Sequence, residues 1–166
     1  RHGIAPHRYA IYTGNLDGTV TDLSTGLMWE QKDQAGGLHD RDNVYAWSGD
    51  GMEETIWDWL EDVNAEGGTG FAAHSDWRIP NVKELQSLVS YGRPPPAIEP
   101  VFNTNCNLTC AIPMVTCGCT VFASYWSSTS NHLGPNAAWF VSFYDGTVGV
   151  VSRTGKFYVR AVRGGS

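Results

Sequence analysis

The stretch AWFVSFYDGTVGVVSRTGKFYVRAVRGG, residues 138–165, constrains the fold more than any other part of the chain. It is dense in aromatic and β-branched residues, which suit a pleated, half-buried backbone. It is punctuated by Asp145-Gly146 and Thr154-Gly155, dipeptides of the kind that reverse a chain between strands. Trp139, Val141 and Phe143 alternate with Phe140, Ser142 and Tyr144, as in a sheet whose two faces have different uses. Upstream, SYWSSTS reads as a further strand, with NHLGPNA as the loop that follows it. Such strands either only close a fold or also present a surface that something binds.

The other end of the chain is written in the same way. YAIYTGNLDGTVTDLSTGLMWEQK reads as short strands with turns at Asp17-Gly18 and Ser24-Thr25-Gly26. DGTVTDLSTG echoes DGTVGVVSRTG near the end, which fits two hairpins with shared turn chemistry and is too little for a repeat. Residues 33–52 read as loop. Ile56, Trp59, Leu60 and Val63 then fall on one face of a helix ended by Gly67-Gly68, and Trp57 falls off that stripe. A second helix starts at Asn81, a capping residue with Glu84 at the capping-box position, and buries Val82, Leu85, Leu88 and Val89 before Gly92. RPPPAIEPVF is too rich in proline to be anything but an extended connector. The order of strands, two helices, a long loop region and strands predicts an α+β domain whose first and last strands pair. At 166 residues the chain fits one domain, with its core over about residues 19–165.

All four cysteines lie in CNLTCAIPMVTCGC. Joining Cys117 to Cys119 would close a very small, strained ring. If the segment is a hairpin, the nested pairs Cys110–Cys117 and Cys106–Cys119 suit its register better than the crossed pairs. Cys-x3-Cys with Cys-x-Cys is not a usual zinc spacing, so disulfides are favoured over metal, and they imply an oxidising, extracytoplasmic home. Asn107-Leu108-Thr109 is a glycosylation sequon, relevant only in a host that modifies it.

Charge narrows the possible partners. The net charge is −6, and residues 17–66 carry thirteen acids against Lys32 and Arg41. From Trp139 onward Arg153, Lys156, Arg160 and Arg163 face Asp145 alone. An acidic chain without a basic run is a poor candidate for binding nucleic acid, and a poor one for heavily sulfated glycans unless its C-terminal bases cluster. No apolar run approaches the roughly 20 residues of a membrane span, so no membrane insertion is expected.

TVTDLSTGLMWEQK, HSDWRIPNVKELQSLV, YWSSTS and FYDGTVGVVSRTGKFYVRAVRGG, in that order, resemble the C-terminal domain family of the Legionella collagen-like adhesin from Thr19 to Gly165. The resemblance implies a C-type-lectin-like fold, in the branch shared with formylglycine-generating enzymes and with the variable receptors of diversity-generating retroelements. It also implies a bacterial domain that is exported or displayed at the cell surface; the adhesin's own domain trimerises and binds sulfated host glycans. By analogy Trp29, Trp77, Arg78, Trp126, Trp139, Arg160 and Arg163 would be framework. The side chains between them, Asn131, His132, Ser142, Tyr144, Asp145, Thr147, Ser152, Arg153, Lys156 and Phe157, would be the ligand contacts.

The residues themselves do not point to catalysis. The five histidines are scattered, no metalloprotease, phosphate-loop or nucleophile-elbow motif occurs, and the cysteines are accounted for by stapling. Asp40, Asp42, Asn43 and Asp50, with Glu53 and Glu54, offer the hard oxygens calcium prefers, but without EF-hand spacing. The sugar-chelating signatures of calcium-dependent lectins are also missing, so a solvated acidic loop is the favoured reading and no cofactor is expected. Tyr144, Phe157 and Trp47 are the aromatic residues expected at a contact surface, where rigid amphipathic rings bind at low entropic cost. The expected function is a non-catalytic extracellular recognition or adhesin module for a glycan or protein ligand. A retroelement-diversified receptor and a subunit of a surface fibre are the alternatives.

Overall fold

The computed structural model describes residues 12–113 and 117–165. Turn chemistry organises its first three strands, β1 (Tyr12–Gly14), β2 (Thr19–Asp22) and β3 (Met28–Glu30), which run antiparallel. The Asp17 carboxylate accepts the N–H of Thr19, and Asp22 accepts that of Ser24, while Gly18 and Gly26 take positive φ. Both turns fall where the sequence places them, and both are of the Asx type.

The segment that reads as loop, residues 33–52, contains a short strand, β4 (Tyr45–Ala46). Two residues are too few to show an alternation, and only a distant partner defines them. Helix α1 (Ile56–Ala65) buries Ile56, Trp59 and Val63 as expected and starts from a capping box of Thr55 and Asp58. Helix α2 (Val82–Gln86) has the expected Asn81–Glu84 box but is shorter than its apolar stripe. Ser87 donates its hydroxyl to the Glu84 carbonyl as the helix ends, and Leu88 and Val89 reach the core from the turn beyond it.

The later strands are β5 (Ser124–Ser130), β6 (Ala137–Ser142), β7 (Val148–Ser152), β8 (Lys156–Phe157) and β9 (Val162–Arg163). β5, β6 and β7 form one sheet in that order, β8 pairs with β4, and β9 pairs with β3. The chain is therefore α+β, and its last strand completes the N-terminal sheet by pairing with β3. The expected pairing of first and last strands is not seen among the described residues, where β1 pairs with β2.

The core lies on both faces of the β5-β6-β7 sheet, as period-two alternation requires. Tyr125 and Val141 pack with Leu85, Leu88, Trp29 and Phe102 on one side. Trp126 and Ala138 pack with Ile56, Trp59, Val63 and Trp77 on the other. Arg160 is buried, Arg78 pairs bidentately with Glu84, and Arg163 pairs with Asp76. Trp139 departs from the expected framework: it is half-buried and belongs to neither core cluster.

The cysteines pair as Cys106–Cys119 and Cys110–Cys117, the nested arrangement. The expected hairpin is not what supports them. Among the described residues no ladder joins the two halves of the segment, and an isolated bridge, Thr104 to Gly118, holds its base.

One glycine position meets the backbone itself in this packing. Gly70 has φ +89°, and a Cβ there would fall on the His74 backbone carbonyl. Gly70→Ala should cost about 1–3 kcal/mol in chemical denaturation, whereas Gly14→Ala, with open space around it, should leave the midpoint nearly unchanged.

Candidate functional site

The residues expected to contact a ligand are distributed between the two ends of the β5-β6-β7 sheet. β6 separates those ends by roughly 17 Å, from the rise per residue of a strand.

At one end lies the β6–β7 turn, with Ser142, Tyr144, Asp145 and Thr147. Ser142 Oγ accepts the Tyr144 N–H, and Asp145 Oδ1 accepts the N–H of Thr147. The Thr147 hydrogen bonds hold the exposed Asp145 carboxyl below the usual carboxylate range. Most of the polar groups here therefore build the turn, and only the Tyr144 ring, 57 % exposed, projects freely.

The opposite end gathers Asn131, His132, Ser152, Arg153 and Lys156. The Arg153 N–H donates to the Asn136 carbonyl and its Nε to the Ala137 carbonyl, which fixes the guanidinium beside the β5–β6 loop. The Arg153 carbonyl in turn accepts the N–H groups of Trp47 and Ser48. This brings the loop before α1 under the arginine, whose guanidinium carbon sits 4.2 Å from the Trp47 ring centroid. Trp47 is locked from its other side by its Nε1–H, which donates to the Ser127 carbonyl at 2.9 Å. The Trp57 ring meets Trp47 edge-on, at 5.1 Å between centroids and 89° between planes, and is 37 % exposed. The Trp47 ring thus meets the Arg153 guanidinium and the Trp57 ring at once. Cation–π contact and edge-to-face packing both favour this arrangement, and each partner is tied to a different element of the fold.

Phe157 does not join this surface. It packs edge-on to Trp126 at 4.9 Å and stacks on Phe140, because β8 turns it toward the core when it pairs with β4. Trp57, which the helical stripe excludes, takes its place as the exposed ring. Its position off the stripe is the sequence signal for that, but its pairing with Trp47 and Arg153 depends on the β4–β8 ladder, which no local pattern reveals.

The acidic loop has its own local function. Asp40 accepts the N–H groups of Gly36 and Asp42, Asn43 donates to the Gly37 carbonyl, and Asp50 accepts the Met52 N–H. Its oxygens shape turns and are spread over the segment; among the described residues no three His, Cys, Asp or Glu side chains converge as metal ligands would.

Among the described residues no helix is long and apolar enough to cross a membrane. In comparison with known families, the model described as the Lcl C-terminal domain matches residues 18–163, most of the chain. No curated protein matches it.

Proposed function

The chain belongs to the Lcl C-terminal domain family, and on that premise we propose that it is a non-catalytic recognition module of the adhesin type, C-type-lectin-like in fold, working outside the cytoplasm. The observation that carries this reading is the Trp57–Trp47–Arg153 assembly. It holds the exposed Trp57 indole against Trp47, the ring that the Arg153 guanidinium covers, on a surface already ordered by hydrogen bonds and cross-strand pairing. Pre-ordering of this kind lowers the entropic cost of binding.

A glycan is the ligand this chemistry fits best. The C–H face of a pyranose can lie on Trp57, while hydroxyls accept from the Arg153 guanidinium and the Lys156 ammonium. The net charge of −6 favours a neutral glycan over a heavily sulfated one. The disulfides suit an exported, extracytoplasmic setting. Three-fold assembly, implied by the resemblance to the adhesin, would add avidity to weak single sites.

The test is a glycan array probed with the purified chain at physiological salt, in calcium and again in EDTA. Saturable binding that survives EDTA is expected. Trp57→Ala should then weaken binding about tenfold or more, since exposed indoles are frequent hot spots, while the chain stays folded and cooperative in melting. Tyr144→Ala at the far end of the sheet should bind as the parent does. A blank array would move the reading to a protein ligand, and retained binding in Trp57→Ala would remove the site from this surface.

A further inference from the structure

In the loop that follows β3, His39 stands between two carboxylates. Its Nδ1 lies 2.7 Å from Glu30 Oε1 and its Nε2 lies 2.8 Å from Glu66 Oε2. The Phe71 ring covers the imidazole at 4.1 Å between centroids, and His39 is buried.

The two acids are not equivalent. Glu30, on β3, is fully buried and also holds the Lys32 ammonium at 3.0 Å and the Ala161 N–H at 2.9 Å. Glu66, at the end of α1, keeps its side chain 42 % exposed, and His39 is its ion-pair partner. The other charged groups around the imidazole are also fixed. Lys32 sits against Glu30, Arg160 donates to the Glu30 carbonyl, and Asp33 accepts backbone N–H groups of Ala35 and Ile112.

A neutral imidazole has a single N–H, and an imidazolium has two. Only the protonated ring can donate to both carboxylates. We propose that His39 is a proton-operated clamp, which pins the turn after α1 to β3 while it is protonated and releases Glu66 when it loses its proton. The remaining proton stays on Nδ1, because the buried Glu30 cannot be left without it. The Nε2 lone pair then faces the Glu66 carboxylate, and the repulsion drives that side chain into water.

Residues 67–69 of the released segment are exposed. Gly67, Gly68 and Gly70 all have positive φ, and the N–H groups of Thr69 and Gly70 bond only back to the Glu66 carbonyl. Burial alone would lower the His39 pKa. Its hydrogen bond to Glu30, the charge of Glu30 and the hydrogen bond to Glu66 outweigh that and raise it above the ordinary 6.5. A group raised in the folded state contributes its full stability below the unfolded value and loses it as pH rises through the folded one. The clamp is therefore closed in mild acid and opens on the alkaline side of 6.5.

Glu66→Gln provides the discriminating variant. A glutamine amide can accept from the protonated ring and donate to the neutral one, so the link survives deprotonation. The experiment is a side-chain ¹⁵N NMR titration of His39 in the full chain, with amide hydrogen exchange of residues 67–70 followed over the same pH range. In the parent, both ring nitrogens should carry protons in mild acid and an Nδ1–H tautomer should remain in base. Protection at residues 67–70 should fall about tenfold, beyond the intrinsic pH effect, as His39 titrates. In Glu66→Gln, His39 should titrate at lower pH and the protection step should vanish. A parent His39 that titrates below 6.5, no step in the parent, or the same step in Glu66→Gln would each overturn the clamp.

Discussion

Glu30→Ala should destabilise the protein by about 3–5 kcal/mol, the range for removing one partner of a buried ion pair. Glu30 is fully buried, and the Lys32 ammonium beside it is 2 % exposed. Alanine in its place strands that ammonium, the Nδ1 proton of His39 and the Ala161 N–H together in a buried site. Burial by itself would raise the Glu30 pKa. The Lys32 charge, the His39 hydrogen bond and charge, and the Ala161 N–H reverse this and hold it at about 2. The sign follows directly. A depressed acid contributes stability above its ordinary value of 4.5 and loses it as pH falls toward about 2. Urea denaturation at neutral pH measures the first effect. A pH series of the same measurement, compared with Glu30→Gln, isolates the second. The double variant Glu30→Gln with Lys32→Met should recover much of the loss, because it removes the stranded ammonium along with its partner. A loss of less than about 1 kcal/mol for Glu30→Ala would mean that Lys32 finds water or another acceptor.

Neither Glu30 nor Lys32 stands out in the sequence, and the reason is physical. They lie in MWEQK, where a strand with apolar and charged residues reads as half-solvated. Their burial is decided by α1, by the loop carrying His39 and by the last strand, all distant in the chain. Where a local rule suffices, the sequence is legible: Asn81 and Glu84 announce α2, Asp17-Gly18 announces a turn, and the spacing of Ile56, Trp59 and Val63 announces the buried face of α1. The nested disulfides also follow from spacing, although no ladder supports them among the described residues.

The candidate site shows the same division. Arg153, Lys156 and Trp47 are recognisable one by one as C-terminal bases and a surface indole. Their assembly with Trp57 requires the Tyr45–Phe157 and Ala46–Lys156 pairings. That two-residue ladder also turns Phe157 toward Trp126 and Phe140 and leaves it half-buried.

Loss of the outer disulfide is the second large effect expected. Chain entropy alone gives about 3 kcal/mol for a loop of the Cys106–Cys119 size and about 2.4 kcal/mol for one of the Cys110–Cys117 size, so entropy barely separates them. Their native contacts do. The Cys119 carbonyl accepts from the Arg160 guanidinium at 3.1 Å, and its N–H donates to the Lys32 carbonyl. Cys106 Sγ lies 3.4 Å from the Arg41 Nη1 donor. The outer crosslink thus ties the cysteine loop to the same buried charges that depend on Glu30, while the inner pair is anchored through neutral groups, from the Gln34 N–H to the Cys110 carbonyl and from Gln31 Nε2 to the Cys117 carbonyl. Cys106→Ser with Cys119→Ser should therefore cost clearly more than Cys110→Ser with Cys117→Ser in denaturation under oxidising conditions. The outer variant should also lower the acid-side stability that Glu30 confers, since Arg160 is loosened with it. Equal costs would show that the loop acts as a crosslink only. A larger cost for the inner pair would place the anchoring contacts at Cys110, contrary to the hydrogen bonds that hold Cys119.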